Sequence, residues 1–295
     1  MNSGLHFDYT AVGHVTVDVL ADGSRRPGGT AFYSALQAAR LGCRTLILTQ
    51  GLPGEIEELL APYRPEIELQ IQPAAATTTL LTRGAGAART QRMLAWAGPM
   101  ADEVAVDSAI LHLAPVARES PQSWHGTCDF VGLTPQGLAR DWSDPDGEVK
   151  VTPTDPASLS IARHCQAVVV SEHERSSCRA LLREAVAAGA VAAITAGAAP
   201  ATILLADGPT LELDVPTVAD VVDDLGAGDV FAAAFFIALA EGARAERAAS
   251  FANAAAAVRM QGAGARAIGD RAAIAARLDA VANAGVGRAP GRQGR

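Results

Sequence analysis

Two periods of apolar residues run through the chain. Short apolar runs of strand length alternate with longer stretches of helix length. Tyr9–Asp18 reads as an opening strand. Gly28-Gly29 then introduces a helix over Thr30–Leu41, stopped by Gly42. Arg44–Thr49 is a buried strand, Glu55–Leu60 a short helix, and Ile67–Ile71 a weakly alternating segment. From Thr77 to Trp96 the pattern changes to a β-prone hairpin broken at Gly84-Ala85-Gly86, with Arg83, Arg89 and Arg92 expected to be exposed. Further on, Ala109–Leu113, Cys128–Leu133, Ala167–Ser171, Val191–Thr195 and Thr202–Leu205 read as short buried strands. Ser176–Ala188, Val230–Glu241, Glu246–Met260 and Arg271–Ala282 read as helices, and the Gly-, Pro- and Arg-rich tail 283–295 as disordered.

This alternation predicts an α/β fold: a mostly parallel sheet with helices on both faces. One domain is expected over 1–282, with a small β lid formed mainly by 77–96 and the 18–28 segment. In such sheets ligands sit beyond the carboxyl ends of the strands. Asp18, Ser171, Thr195 and the loop before Val230 therefore share one rim.

Composition narrows the chemistry. The net charge is −8, from 24 basic and 32 acidic residues. A chain this acidic has no overall pull on nucleic acid or anionic membranes, and neither is an expected partner. Lys150 is the only lysine, and it lies in Glu-Val-Lys-Val, outside any Gly-Lys-Ser/Thr frame. That excludes a P-loop NTPase, and a protein kinase of the His-Arg-Asp type as well. Cys43, Cys128, Cys165 and Cys178 form no Cys-x-x-Cys pair. They suit a reducing compartment, and the absence of a signal pattern makes the expected location cytoplasmic. The uncharged run Ala185–Ala206 is broken by glycine and proline and reads as helix end, strand and turn rather than a membrane span.

The sharpest motif is Asp223-Asp224-Leu225-Gly226-Ala227-Gly228-Asp229, directly before a long apolar helix. Glycines at a helix start let backbone N–H groups converge on an anion, and the helix dipole adds about half a positive charge. An aspartate there suits a base that orients a hydroxyl toward a phosphoryl group. An ordinary Gly-rich turn with Asp229 as a helix-start residue is the alternative on this motif alone.

The chain resembles the ribokinase-like (PfkB) carbohydrate kinases, whose Asp-Thr-x-Gly-Ala-Gly-Asp loop nearly matches this motif. Five further segments agree with that family in order and spacing from about Tyr9 to Ala282. They are Gly13-His-Val-Thr-Val-Asp18, Pro27-Gly28-Gly29 with Arg40-Leu41-Gly42, Ser171-Glu-His-Glu174, Thr195-Ala-Gly197, and Ala252-Asn253 with Gln261-Gly-Ala263. Arg89-Thr-Gln-Arg92 and Thr134-Pro-Gln-Gly137-Leu-Ala-Arg140 resemble a short-lid branch that includes inositol kinases.

The resemblance implies transfer of the ATP γ-phosphoryl group, with Mg²⁺, to a hydroxyl of a sugar, polyol or nucleoside. It admits a monovalent cation, and a monomer or a homodimer. Asp229 is the implied base, and the backbone of Gly226, Ala227 and Gly228 the anion hole. Asp18, Gly28, Gly29, Tyr33 and Arg92 are implied on the acceptor side. Ser171, Thr195, Gly197 and Asn253 are implied on the nucleotide side, and Glu174 at Mg²⁺ through water. Ser171 stands where the family usually has asparagine, Pro200 where it often has glycine, and Tyr33 where ribokinases often present asparagine; these departures argue against ribose. A non-catalytic descendant that only binds nucleotide or sugar has no physical need of Asp229. A dehydrogenase lacks support, because Val12-Gly13-His14-Val15 replaces the dinucleotide glycines.

Overall fold

A computed structural model describes residues 6–143 and 146–286. Nine strands form one sheet. Seven are parallel, in the spatial order Val191–Ala196, Ala167–Ser171, Ser123–Leu133, Glu103–Leu113, Phe7–Val12, Thr45–Gly51 and Glu68–Pro73. Ala199–Leu204 and Leu211–Leu213 continue it as an antiparallel edge beside Val191–Ala196. The predicted α/β architecture is thus present, with helices on both faces. One face carries Thr30–Arg40, Ala227–Ala240 and Ala245–Met260; the other carries Leu159–Ala162 and Arg179–Ala187.

Phe7–Val12 is the third strand from the Glu68–Pro73 edge. From it the chain winds outward through Thr45–Gly51 and Glu68–Pro73, then returns to build the other half from Glu103–Leu113. The reversal leaves a crevice at the carboxyl ends of Phe7–Val12 and Glu103–Leu113, where open α/β sheets bind ligands.

The helix Ala227–Ala240 points its start at this crevice. Residues Val230 to Ala238 are all buried, because the helix is enclosed by the sheet, Thr30–Arg40 and Ala245–Met260. Phe236 presses on Gly132, where a Cβ would stand 2.3 Å from its ring. A bare backbone in the strand therefore sets how close this helix sits.

Several expected boundaries change. Tyr9–Asp18 is two strands, Phe7–Val12 in the large sheet and Thr16–Val19 in a small one. Between them Gly13 passes so close to Ala114 that a Cβ would stand 2.2 Å from its carbonyl oxygen, and the Val15 N–H goes to the Thr49 hydroxyl at 2.8 Å. Glu103–Leu113 and Ser123–Leu133 start earlier than their apolar cores, since their polar first halves pair with each other from Glu103 and Ser123 onward. The last helix runs from Arg271 to Val286, so Asn283–Val286 is helical rather than tail; the rest of the expected tail, 287–295, lies outside the described residues.

The small sheet has five strands, in the order Gly147–Glu148, Thr90–Ala95, Thr79–Arg83, Thr16–Val19 and Arg25–Gly28. Leu80 and Met93 are register partners on its buried face, with Asp18 beside Leu80. This sheet stands as a lid over the crevice.

Candidate active site

Asp229 lies in the first turn of Ala227–Ala240. Gly226 caps that helix at φ 81°, in the left-handed region, and a Cβ there would strike the Tyr33 ring at 2.4 Å. Both facts require glycine. A Cβ on Gly228 meets nothing within 4 Å, so this side of the turn is open. Of the three amides expected to hold an anion, that of Ala227 is turned to the Asp224 carbonyl at 3.2 Å. Those of Gly226 and Gly228 have no acceptor among the described residues.

Asp18 is buried on the lid strand and accepts the Thr16 hydroxyl at 2.9 Å. Its carboxylate fills the space a Cβ on Gly28 would take, and Gly29 lies against the His14 carbonyl. The glycine pair therefore makes room for Asp18 and the crossover rather than for a ligand. Burial pushes the Asp18 carboxyl up to about 6; the Thr16 hydroxyl and Arg140 pull it back, and the Asp229 charge pushes it further up. Burial likewise pushes Asp229 up to about 6, against the Thr30 hydroxyl and Arg140, with Glu174 adding to the rise. Both carboxylates thus lie within reach of the same two guanidinium charges, Arg140 and Arg89.

Gln136 joins them. Its Nε2 donates to the Thr30 hydroxyl and lies 3.4 Å from Asp229 Oδ1. Arg140 Nη1 donates to the Val116 carbonyl at 3.0 Å, and Nη2 stands 3.4 Å from Gln136 Oε1. The sequence singled out the Thr134–Arg140 segment but gave Gln136 no role in the site, and Thr30 entered only as a helix start. The spacing of Gln136, Gly137 and Arg140 was the available signal.

The loop before Asp229 is held from two sides. Asp223 accepts from Arg259 Nη2 at 3.0 Å, Gly264 N–H at 2.9 Å and Leu225 N–H at 3.0 Å. Burial alone would raise the Asp223 carboxyl, but these donors outweigh it and hold it below the ordinary range. Arg259 is fully buried, bonds the carbonyls of Asp223, Leu225 and Gly262, and stacks over Tyr33 at 5.6 Å. Asp224 reaches the opposite way, to the lid. It accepts the Gly86 N–H at 2.7 Å and pairs with Arg89. Arg89, expected to be exposed, is instead the lid's tie to this loop.

The other predicted residues divide. Ser171 and Thr195 are register partners on adjacent strand ends. The Ser171 backbone N–H donates to Glu174 Oε2 at 3.3 Å in a capping box on the short helix Glu172–Arg175, and the Ser171 hydroxyl donates to the same oxygen at 2.7 Å. Gly197 is exposed in the turn between Ala196 and Ala199, at φ 63°. Asn253 is buried within its helix, its Nδ2 without a partner, rather than on an open wall. Tyr33 is 2 % exposed and backs Gly226 instead of facing the chamber. Arg92 pairs with Leu81 on the outer lid face and donates to the Asp146 carbonyl, so the structure does not bring it to the site.

Residues 133–271 match the model of the pfkB family carbohydrate kinases. Over that stretch, a little under half of its length, the chain is similar to the family. It is a small-molecule kinase, a phosphotransferase with an alcohol acceptor. No curated protein matches this kinase. Solved structures share its fold at low identity. A pyrophosphate-dependent kinase in the ribokinase family, complexed with a pyrophosphate analog and myo-inositol, is 20 % identical at a TM-score of 0.71, over 87 % of this chain and 96 % of that one. The nucleoside kinase of Methanocaldococcus jannaschii is 16 % identical at 0.68, over 94 % and 100 %. The Arabidopsis thaliana ribokinase complexed with ribose and ATP is 16 % identical at 0.66, over 93 % and 99 %. Among the described residues no helix is long and apolar enough to cross a membrane.

Proposed function

We propose that the chain transfers the γ-phosphoryl group of ATP to a hydroxyl of a neutral polyhydroxylated molecule, a polyol of the inositol kind or a sugar. The observation that carries this reading is Asp229 in the first turn of a buried helix, beside the free Gly226 and Gly228 amides and facing Asp18 and Arg140. The amides hold the transferring phosphoryl at the positive end of the helix. Asp229 orients the acceptor hydroxyl and takes its proton as the new bond forms. Asp18 accepts from neighbouring hydroxyls, while Arg140 and Gln136 donate to them.

Charge argues for a neutral acceptor. Arg89 is already paired with Asp224, and the Arg140 charge already offsets the buried Asp18 and Asp229 carboxylates. Neither is left to neutralise an acceptor phosphate beside two carboxylates. A vicinal diol suits the mixed set better, each hydroxyl donating to an aspartate and accepting from a guanidinium or amide.

Val221 and Val222, 55 % and 59 % exposed, stand immediately before the anion loop. They offer apolar surface that a purine covers and pyrophosphate leaves bare, which favours ATP. Mg²⁺ fits the residues present. Glu174 keeps one carboxylate oxygen beyond its bonds to Ser171, and the described residues contain no cluster of three metal-ligating side chains. That supply suits an ion held mainly by donor phosphates and water, with Glu174 on its water shell. When bound, Mg²⁺ offsets phosphate charge.

The test is phosphorylation of polyols, sugars and nucleosides with ATP and pyrophosphate in parallel, read by coupled ADP or phosphate release and by product mass. Turnover of a neutral polyol or sugar with ATP is expected. Turnover with pyrophosphate alone overturns the donor assignment, and preference for a phosphorylated acceptor overturns the charge argument.

A further inference from the structure

Glu119 is fully buried in the turn after Glu103–Leu113, and the proposed chemistry makes no use of it. Its Oε1 accepts the backbone N–H of Val116 at 2.6 Å and of His14 at 2.9 Å, and its Oε2 that of Ala117 at 2.5 Å. Hydrogen bonds to a carboxylate are about twice as strong as neutral ones. These three tie together two segments about a hundred residues apart.

One segment is the crossover at Gly13 and His14. Gly13 has no room for a Cβ, which would stand 2.2 Å from the Ala114 oxygen and 3.3 Å from Glu119 Oε1. The His14 ring is fixed too, its Nδ1 bonded to the Thr78 hydroxyl at 2.8 Å. Two residues on, the strand bearing Asp18 begins. The other segment is the turn Ala114–Arg118. Its Val116 carbonyl holds Arg140 at 3.0 Å. Its Pro115 carbonyl takes the Gly137 N–H at 3.0 Å, and its Arg118 N–H goes to the Gly137 carbonyl at 3.1 Å. The same turn therefore holds both Arg140 and the stretch that carries Gln136.

We propose that Glu119 is a positioning residue for the acceptor: its buried carboxylate locks this turn to the crossover and so holds Asp18, Gln136 and Arg140 in one frame. The inference rests on the reading above that these three line the acceptor chamber. The donor loop hangs from Arg259 and Asp223 instead, so the effect of Glu119 is confined to the acceptor.

Glu119→Gln keeps the shape but sets an amide NH₂ against backbone N–H groups. In the full chain, kcat/KM for the acceptor is expected to fall about 10- to 100-fold, mainly through KM. The ATP KM should stay within about twofold. In an Arg140→Met background the same substitution should cost less than it does in the wild type, since one of the three residues it positions is already gone. A second variant avoids the buried charge. Trp96 donates to the Ala117 carbonyl at 2.8 Å from a side chain that is 39 % exposed at the surface. Trp96→Phe keeps the ring and should raise the acceptor KM about threefold with the ATP KM unchanged. If Glu119→Gln does not fold, Trp96→Phe decides alone. Equal losses for both substrates, full additivity with Arg140→Met, or an unchanged acceptor KM in Trp96→Phe overturn the inference. A wild-type protein inactive on every acceptor overturns the functional reading as well, so the two failures are told apart.

Discussion

Asp229 and Asp18 are two acids of ordinary pKa 3.8, each pushed up to about 6 chiefly by burial, Asp18 further by the Asp229 charge and Asp229 further by Glu174. If Asp229 is the base, it works ionised, so kcat/KM should fall as pH drops through about 6. The limb is movable. Asp18→Asn removes a like charge and should shift it to lower pH, whereas Arg140→Met removes an opposite charge and should shift it higher. A pH–rate profile that neither variant moves would place the titration elsewhere. Linkage gives a second reading. A carboxyl whose folded pKa lies above its unfolded value makes ionisation a cost to folding. That cost is absent below about pH 3.8, grows toward 6 and is complete above it. Asp229→Asn should therefore raise Tm at pH 8 and leave it nearly unchanged at pH 4, while kcat falls by about 10² to 10⁴ and Mg·ATP still binds. Activity within a few-fold of wild type would remove Asp229 from the role of base.

At the scale of elements, the loop before Asp229 is a junction. Arg259 and Asp223 fasten it to the Ala245–Met260 helix, and Asp224 fastens it to the hairpin of Thr79–Arg83 and Thr90–Ala95. Asp224→Ala should loosen the hairpin and not the core. Amide exchange is expected to quicken over residues 79–95 and to stay unchanged in Val230–Ala238, with KM raised for both substrates. Uniform exchange across the chain would show that this pair does not tie the lid. The glycines of the turn separate in the same spirit. Gly226→Ala meets a left-handed φ and the Tyr33 ring, so Tm should drop by several degrees. Gly228→Ala meets open space in the fold, so Tm should hold while activity falls, because the methyl stands where a phosphoryl group is proposed to lie. Equal effects of the two substitutions on Tm would contradict this division.

For the whole molecule, the crevice lies between two bodies, a nine-stranded sheet with its helices and a five-stranded lid joined to it by the Gly13–Val15 crossover and the Asp224 tie. A ligand that binds only the folded crevice stabilises the chain by about 2.7 kcal/mol at a hundredfold excess over Kd. Mg·ATP and the acceptor should each raise Tm, and together by more than either alone. Tm unchanged by millimolar ATP, with and without acceptor, would count against the nucleotide reading.

Much of this was legible along the chain. The alternation of short and long apolar runs determines the layered sheet, because burial on both faces needs uninterrupted apolar strands whatever the loops do. The Gly226–Asp229 turn is equally local, since a left-handed cap and a helix start are set by neighbouring residues. Tertiary structure alone decided what these pieces meet. Tyr33 looked like a substrate contact and became the backing of Gly226; Arg92 fell on the outer lid face once the pairing with Leu81 set the register. Gln136, Thr30 and Asp224 acquired partners about a hundred residues or more away. Periodicity records which side of an element is buried. It carries no information about which distant polar group waits there, because hydrogen-bond geometry across a crevice exists only after the strands have been ordered and the lid has been laid over them.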